Sequence, residues 1–189
     1  NPMLAEVMRN AYDLPRVQSV PNAEWWVEPR DRPSIKPVMT AVVPGRTRVL
    51  FQGRFASGRG IEELIEAGAQ VDGGKAALFV RGPDNIWRQA AIALARKLEL
   101  LDKSVYFLEA VPEDMLVPAA AEADVGVIPY KPLITNDRFA CPNKLSQYLH
   151  AGLMIVANEL PYVKSVIQAA GAGLSYDSSD PSSFADIIG

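Results

Sequence analysis

Short apolar runs alternate with helical patterns from about residue 46 to the end of the chain. The apolar runs lie at 48–53, 76–81, 105–108, 124–130, 153–157 and 173–176. They lack the strict alternation of apolar and polar residues that marks a strand with one face in water. They therefore predict strands buried on both faces, as in a parallel sheet covered by helices on both sides.

Helical spacing of apolar residues fills the intervals between these runs. Ile61, Leu64 and Ile65 share one helical face, and similar spacing recurs at 86–98 and 163–170. Since strands and helices alternate along the chain, we predict an α/β fold, a doubly wound Rossmann-like parallel sheet of about six strands.

The first 45 residues follow a different pattern. They suggest a helix at 3–12 and an extended stretch at 16–20 that ends at Pro21-Asn22. The segment 28–45 is dense in proline and charge, and proline prevents a long helix there. We interpret residues 1–45 as an interdomain connection and linker.

The remaining residues, 46–189, are interpreted as one domain. We interpret it as truncated at its C-terminus, because 183–189 has the pattern of a helix that has barely begun. The chain also begins with Asn1 rather than with a methionine. Both features favour a piece of a longer protein. In the connecting segment, Trp25 and Trp26 could form a docking anchor, but burial against the main domain is the favoured interpretation.

Composition narrows the functional class. The 189 residues are 49% hydrophobic and 22% charged, which is typical of a globular protein. The net charge of -3 argues against a nucleic-acid surface. The single cysteine, Cys141, excludes an internal disulfide and fits a reducing compartment.

No apolar run reaches the roughly 18 residues of a membrane span. We expect a cytoplasmic location, with peripheral membrane contact of a longer protein left open.

Two strand exits have unusual sequences. Ligands of doubly wound sheets bind beyond the carboxyl ends of strands, where the strand order reverses. After the first strand, Arg54 and Arg59 stand among glycines that allow close backbone approach, beside a helix start. This pattern suits a phosphate, although a flexible turn with solvated arginines remains an equal alternative.

The exit of the fourth strand leads through a long loop to a helix that begins near Pro142. Free amides of Asn143, Lys144 and Leu145 would then point into the crevice as a second anion site. If the strand order is the common one, the two sites face each other, and together they suggest a diphosphate. The side chain of Lys144 is either solvated or in contact with this ligand.

These segments resemble the C-terminal, donor-binding domain of a GT-B glycosyltransferase, close to glycosyltransferase family four. The resemblance covers roughly residue 16 to the end, and the last two of its segments are the specific part. The segments are "VQSVPN", "VLFQGRFASGRGIEELIEA", "ALFVRGP", "VYFLEAVPEDMLVPAAAEADVGVIPY" and "CPNKLSQYLHAGLMIVANELP".

The resemblance implies two facing Rossmann-like domains with a sugar nucleotide between them. Arg54 and Arg59 match the family's diphosphate ligands. The backbone of Glu109, Ala110 and Val111 matches the segment that contacts the base. The family's ribose-binding glutamate is replaced by Gln147. Its partner glutamate is replaced by Phe139, which leaves Asp137 as the acid that a loop could bring close.

The implied activity is transfer of a sugar from a nucleotide-sugar donor, with retention, to a glycan or lipid-linked acceptor, as in polysaccharide biosynthesis. The resemblance implies no cofactor and no metal. It places the acceptor site mostly on an N-terminal domain outside this chain, so we expect the chain to be inactive alone. Two alternatives stay open: a nucleotide-sugar epimerase of the same build, and a degenerate module that binds a nucleotide sugar or a partner protein.

Overall fold

A computed structural model of the chain describes residues 1–20, 23–69, 74–177 and 180–188. Within them lies a six-stranded, all-parallel sheet in the order β3-β2-β1-β4-β5-β6. Its strands are β1 (Thr47–Gln52), β2 (Ala76–Arg81), β3 (Val105–Leu108), β4 (Val125–Ile128), β5 (Met154–Asn158) and β6 (Gly173–Tyr176). The predicted fold class is confirmed, and the strand order is the common one, which was the condition for the two predicted anion sites to face each other.

The order places β1 beside β4 at the centre of the sheet. β1 pairs with β2 along its whole length and with β4 at Val49–Val125 and Leu50–Gly126. The chain runs outward from β1 to β3 on one side and from β4 to β6 on the other. The carboxyl ends of β1 and β4 therefore flank the point where the strand order reverses, which is where such sheets bind ligands.

Helices cover both faces of the sheet. They are α1 (Pro2–Tyr12), α2 (Met39–Val42), α3 (Ile61–Gly68), α4 (Ile86–Lys97), α5 (Leu116–Ala120), α6 (Thr135–Arg138), α7 (Asn143–Ala151), α8 (Pro161–Ala170) and α9 (Pro181–Ile188), with short 3-10 turns at Pro29–Asp31 and Glu113–Met115. One core contains residues of α3, α4 and α9, and the other contains residues of α2, α5, α7 and α8. Neighbouring residues of β1 join opposite cores, because side chains alternate across a strand.

Helix α7 is fixed against the central strands by Tyr148. A Cβ at Gly126 in β4 would lie 2.4 Å from the Tyr148 ring, so glycine is needed for this approach. The buried Tyr148 hydroxyl accepts a hydrogen bond from the Gln52 amide at 2.9 Å and donates to the Leu50 carbonyl oxygen at 3.2 Å. The beginning of α7 is therefore held next to the end of β1.

Two expectations about element boundaries need correction. The run at 124–130 predicts a longer fourth strand than the observed Val125–Ile128. Beyond Ile128 the backbone turns towards the loop that follows β1, and the Lys131 amide donates to the Gly58 carbonyl oxygen at 3.0 Å. The final helix, α9, has eight residues and contributes Phe184 to the core, so it is more complete than its sequence suggests.

The connecting segment lies on the surface. Its predicted helix is confirmed as α1, and residues 13–20 form neither helix nor strand; Pro21-Asn22, the predicted end of the extended stretch, lies outside the described residues. Trp25 is 92% exposed and Trp26 is 59% exposed, so the expected burial of this pair is wrong. Polar contacts of Glu24 with α7 hold the segment instead. The division of the chain at residue 45 stays a prediction.

Candidate functional site

A cavity of about 570 Å³ opens at the carboxyl edge of β1 and β4. Its wall is formed mainly by the loop after β1, the connection between β4 and α7, and the first turns of α7. The N-terminal segment adds Asn1, Leu4 and Val20. The cavity lies where the sheet topology predicts a ligand.

Most of the residues predicted from the sequence line this one cavity. They come from both predicted anion sites and from the segment before α7, and they are Arg54, Arg59, Asp137, Phe139, Asn143, Lys144 and Gln147. Three of the lining side chains are basic and only that of Asp137 is acidic. The electrostatic character of the cavity therefore favours an anion.

The basic residues gather around an aromatic ring that the sequence did not single out. The Arg59 guanidinium carbon lies 4.2 Å from the centre of the Tyr130 ring, and the Lys144 Nζ lies 4.5 Å from the same centre. Burial raises the pKa of Tyr130, and the charge of Arg59 offsets part of this rise. Tyr130 thus presents a neutral ring that orders two cations at the cavity wall.

Lys144 is buried, with only 4% of its surface exposed, so the solvated alternative for this residue is wrong. Its Nζ lies 3.8 Å from the centre of the Phe51 ring and has no hydrogen-bond partner among the described residues. Burial lowers the pKa of Lys144 well below its ordinary value, and the charge of Arg59 lowers it further. A buried ammonium group without a hydrogen bond is costly, which points to an anion as its missing partner.

Gly53 makes room for this lysine. Its φ of +145° is rare for residues with a side chain, and a Cβ there would lie 3.3 Å from the Lys144 Nζ. The glycine that follows β1 therefore permits both the turn of the loop and the approach of the ammonium group.

The beginning of α7 differs in one respect from the sequence-based expectation. The Leu145 amide donates to the Pro142 carbonyl oxygen at 2.9 Å, and the Leu145 side chain is buried in the core. The expected free amide of Leu145 is therefore wrong, because a bond over three residues tightens this first turn. Asn143 and Lys144, the two residues that precede Leu145, line the cavity.

Gln147 belongs to a polar network that reaches into the protein. Its Nε2 donates to the Glu24 carboxylate at 2.8 Å, and its Oε1 lies 3.4 Å from the Gln52 Nε2. Gln52 accepts in turn from the buried Arg81 guanidinium at 3.0 Å. The positions of Gln52 and Arg81, polar residues at the ends of two apolar strands, could have revealed them in the sequence. No sequence signal indicates Glu24.

The segment between β4 and α7 brings an acid and an aromatic ring to the cavity. Asp137 is half-buried in the short helix α6, and Phe139 follows it. The Phe139 carbonyl oxygen accepts from the Asn1 side chain, which ties this segment to the start of α1. Cys141 also lines the cavity and contacts Tyr162.

The predicted base-binding residues lie elsewhere along the same edge. Glu109, Ala110 and Val111 follow β3, and they do not line the cavity. Glu109 is exposed, and its carboxylate accepts from the Arg88 guanidinium at 2.9 Å. Their predicted role stays a prediction.

The described part of the chain lacks two further features. It contains no cluster of three or more histidine, cysteine, aspartate or glutamate residues arranged to hold a metal ion. None of its helices is both long enough and apolar enough to cross a membrane.

Residues 46–189 match the family model described as glycosyl transferases group 1. The chain belongs to this family. A comparison with curated proteins finds no match. The domain is a Rossmann-like half of a GT-B glycosyltransferase, as the resemblance predicts.

Several solved structures share the fold of this glycosyltransferase domain. An α,α-trehalose 6-phosphate synthase from Burkholderia multivorans matches with a TM-score of 0.63 and 16% identity, over 79% of this chain and 35% of that one. WaaG, a glycosyltransferase involved in lipopolysaccharide biosynthesis, matches with a TM-score of 0.61 and 21% identity, over 79% and 38%.

A glycosyltransferase from Rickettsia africae matches with a TM-score of 0.61 and 12% identity, over 98% of this chain and 40% of that one. At these identities the likeness shows the fold alone. The glycosyltransferase domain spans less than half the length of each of these three structures.

Proposed function

We propose that this glycosyltransferase domain binds a nucleotide-sugar donor through its diphosphate, and that the whole protein transfers the sugar, with retention, to a glycan or lipid-linked acceptor. The observation that supports the proposal most is the buried Lys144 ammonium group, which lacks a hydrogen bond within a cavity that also contains Arg54 and Arg59. A diphosphate supplies the charge and the acceptor oxygens that these groups lack.

Each group has a defined role in this proposal. Arg54 and Arg59 hold the diphosphate from the loop after β1. Lys144 and the first turn of α7, with Asn143, hold it from the opposite wall. In the transfer step, negative charge builds on the departing diphosphate, and these fixed cations stabilise it. The base would lie beyond the ribose, towards the segment 109–111.

Arg54 provides the direct test, because its side chain is exposed at the cavity and is not part of a core. A panel of nucleoside diphosphates is titrated against the protein by calorimetry, and Arg54→Ala is compared with Arg96→Ala, an exposed arginine near the end of α4. We expect Arg54→Ala to weaken binding about tenfold or more, as loss of a charged hydrogen bond does. The Arg96→Ala protein should bind as the wild type does. Absence of binding to every nucleoside diphosphate would reject the proposal.

The second candidate function is a binding module without transfer. It is favoured by Phe139, which brings no carboxylate to the cavity, and by the hydrogen bonds that already engage the Gln147 side chain. Turnover of the nucleotide sugar by the whole protein separates the two functions, since the module binds the donor but releases no nucleoside diphosphate. We expect residues 1–189 alone to bind the donor and to transfer nothing, because the acceptor site lies on another domain.

A further inference from the structure

The Lys144 amine lies at the wall of the cavity and is almost closed off from water. Only 4% of the residue is exposed, and its Nζ has no hydrogen-bond partner among the described residues. The centres of the Phe51 and Tyr130 rings lie 3.8 Å and 4.5 Å from this atom. On a further side, a Cβ at Gly53 would come within 3.3 Å of it. Such apolar surroundings favour the neutral amine over the ammonium ion.

The charged groups around Lys144 add to this effect. The Arg59 guanidinium carbon lies 4.2 Å from the centre of the Tyr130 ring, so the two cations share one ring. Arg54 adds a third basic side chain to the cavity. Of the described lining residues only Asp137 is acidic, and it makes no hydrogen bond to the Lys144 Nζ. Burial, and after it the charge of Arg59, lowers the pKa of Lys144 well below its ordinary value.

A diphosphate in this cavity would reverse the balance at Lys144. It brings negative charge and acceptor oxygens, and a nearby opposite charge favours the charged form of an amine. Its charge also offsets the repulsion from Arg59. The ammonium form then gains a hydrogen-bond acceptor that no described residue supplies. Because the ligand and the proton each favour binding of the other, the two binding events are linked.

We propose that Lys144 takes up a proton as the diphosphate of the donor binds, so that a rise in pH weakens donor binding. This inference rests on the proposed function, because it needs a diphosphate in the cavity. Affinity stays constant at a pH where the free protein already carries this proton. At higher pH, binding must also take a proton from the solvent, so affinity falls by up to about tenfold per pH unit.

Nuclear magnetic resonance tests this directly, because the Cε signal of a lysine shifts when its amine loses a proton. Lysine that is isotope-labelled at Cε is incorporated into the protein, and the signals are followed from about pH 6 to pH 10. The series is recorded without ligand and with saturating amounts of the nucleoside diphosphate that binds most tightly by calorimetry. The Lys144 signal is the one missing from Lys144→Met, and that of the exposed Lys97 is the one missing from Lys97→Met.

We expect the Lys144 signal of the free protein to shift at a lower pH than the other lysine signals. In the saturated protein it should shift at a distinctly higher pH. The Lys97 signal serves as the internal reference and should shift at the same pH in both series.

Calorimetry counts the same proton independently. Binding is measured at about pH 8.5, where the terminal phosphate of the ligand is already ionised, in buffers that differ in their heat of ionisation. We expect the wild type and Arg54→Ala to take up as much as about one proton per ligand, and Lys144→Met to take up none. Arg54→Ala is the matched control, because it also removes a cation from the cavity, but an arginine does not titrate.

Two other lining residues carry groups of a kind that ionises in this pH range, the amino group of Asn1 and the thiol of Cys141. Cys141→Ser should keep the proton uptake. The lysine signal distinguishes Lys144 from Asn1, and it needs no binding by Lys144→Met, so it decides the inference even if that variant binds no ligand.

The outcomes separate the inference from the proposed function. If the Lys144 signal shifts at the same pH with and without ligand, the inference fails and the proposed function stands. The inference also fails if the Lys144 signal of the free protein shifts together with the other lysine signals. Uptake that persists in full in Lys144→Met assigns the proton to another group and has the same consequence. If the wild type binds no nucleoside diphosphate, both fail.

Discussion

At the scale of single residues, Lys144 is the group whose surroundings explain most. Its ammonium lies against the rings of Phe51 and Tyr130, which offset part of the lost hydration, yet no described residue accepts a hydrogen bond from it. Its pKa is lowered, first by burial and then by Arg59. Burial of this amine therefore lowers the stability of the unliganded protein, and it places the group where an anion can bind.

Lys144→Met should stabilise the unliganded protein at neutral pH. The folded pKa of Lys144 is lowered, so between that value and the ordinary lysine pKa of about 10.4 the unfolded chain binds more protons, and wild-type stability rises with pH. We expect the variant to be more stable than the wild type near pH 7, with the gain shrinking towards pH 10. Urea unfolding at several pH values measures it.

The control is Lys97→Met, which replaces an exposed lysine at the end of α4. It should change stability by less than about 0.5 kcal/mol at every pH. A loss of stability in Lys144→Met that does not depend on pH would show that the contacts of the ammonium with the rings outweigh its burial.

Gln147→Glu should lower the free energy of unfolding, and the additional substitution Glu24→Gln should restore it. The variant places two carboxylates in contact, which raises the pKa of the pair because both cannot ionise at low cost. The raised folded pKa means that stability is kept at low pH and lost as pH rises through it. Thermal unfolding between about pH 4 and pH 8 should show this loss in Gln147→Glu and its disappearance in the double variant. No rescue would mean that Gln147 and Glu24 are not coupled.

At the scale of elements, the shape of the cavity depends on contacts between two loops, the loop after β1 and the loop after β4. Gly60, the residue before α3, has a φ of +70°, and a Cβ there would lie 1.9 Å from the Pro129 carbonyl oxygen. The Lys131 amide donates to the Gly58 carbonyl oxygen at 3.0 Å. The loop carrying Arg54 and Arg59 therefore packs directly against the segment that follows β4.

Gly60→Ala should disturb the contact between these two loops. The added carbon meets backbone rather than a flexible side chain, and the left-handed backbone adds strain, so we expect a loss of about 2–4 kcal/mol in the free energy of unfolding. Gly68→Ala is the control, since it lies in α3 with open space around it. It should leave stability unchanged or raise it by up to about 1 kcal/mol. Equal stability of the two variants would show that the close contact between Gly60 and Pro129 does not contribute to stability.

At the scale of the whole molecule, the candidate site exists only because distant segments meet at the edge of β1 and β4. The loop after β1 brings arginines, the connection after β4 brings Tyr130 and Asp137, and the N-terminal segment adds Asn1, Leu4 and Val20. A ligand in this cavity should therefore couple parts of the chain that lie far apart in sequence.

Hydrogen exchange measured by mass spectrometry tests this coupling. Saturation with a nucleoside diphosphate should slow exchange in residues 53–60 and 130–147 together, because the ligand restrains both walls. The segment 86–97, which is α4, serves as the internal control and should exchange at an unchanged rate. Protection of only one wall would contradict a site that crosses the sheet.

Residue order alone was sufficient to predict the strands, most of the helices and the two strand ends beside which the candidate site lies. Apolar runs and helical spacing depend on local residue order, so they predicted about six parallel strands and, with the common strand order, placed Arg54, Arg59 and Lys144 near one crevice. The role of Gln147 came from the family resemblance. The surroundings of these residues became evident only from the folded chain. Burial of Lys144 depends on rings from β1 and the exit of β4, and the hydrogen bond from Gln147 depends on Glu24, more than a hundred residues earlier. Such contacts join segments with no shared local pattern, which is why the sequence indicated neither Glu24 nor the exposure of Trp25.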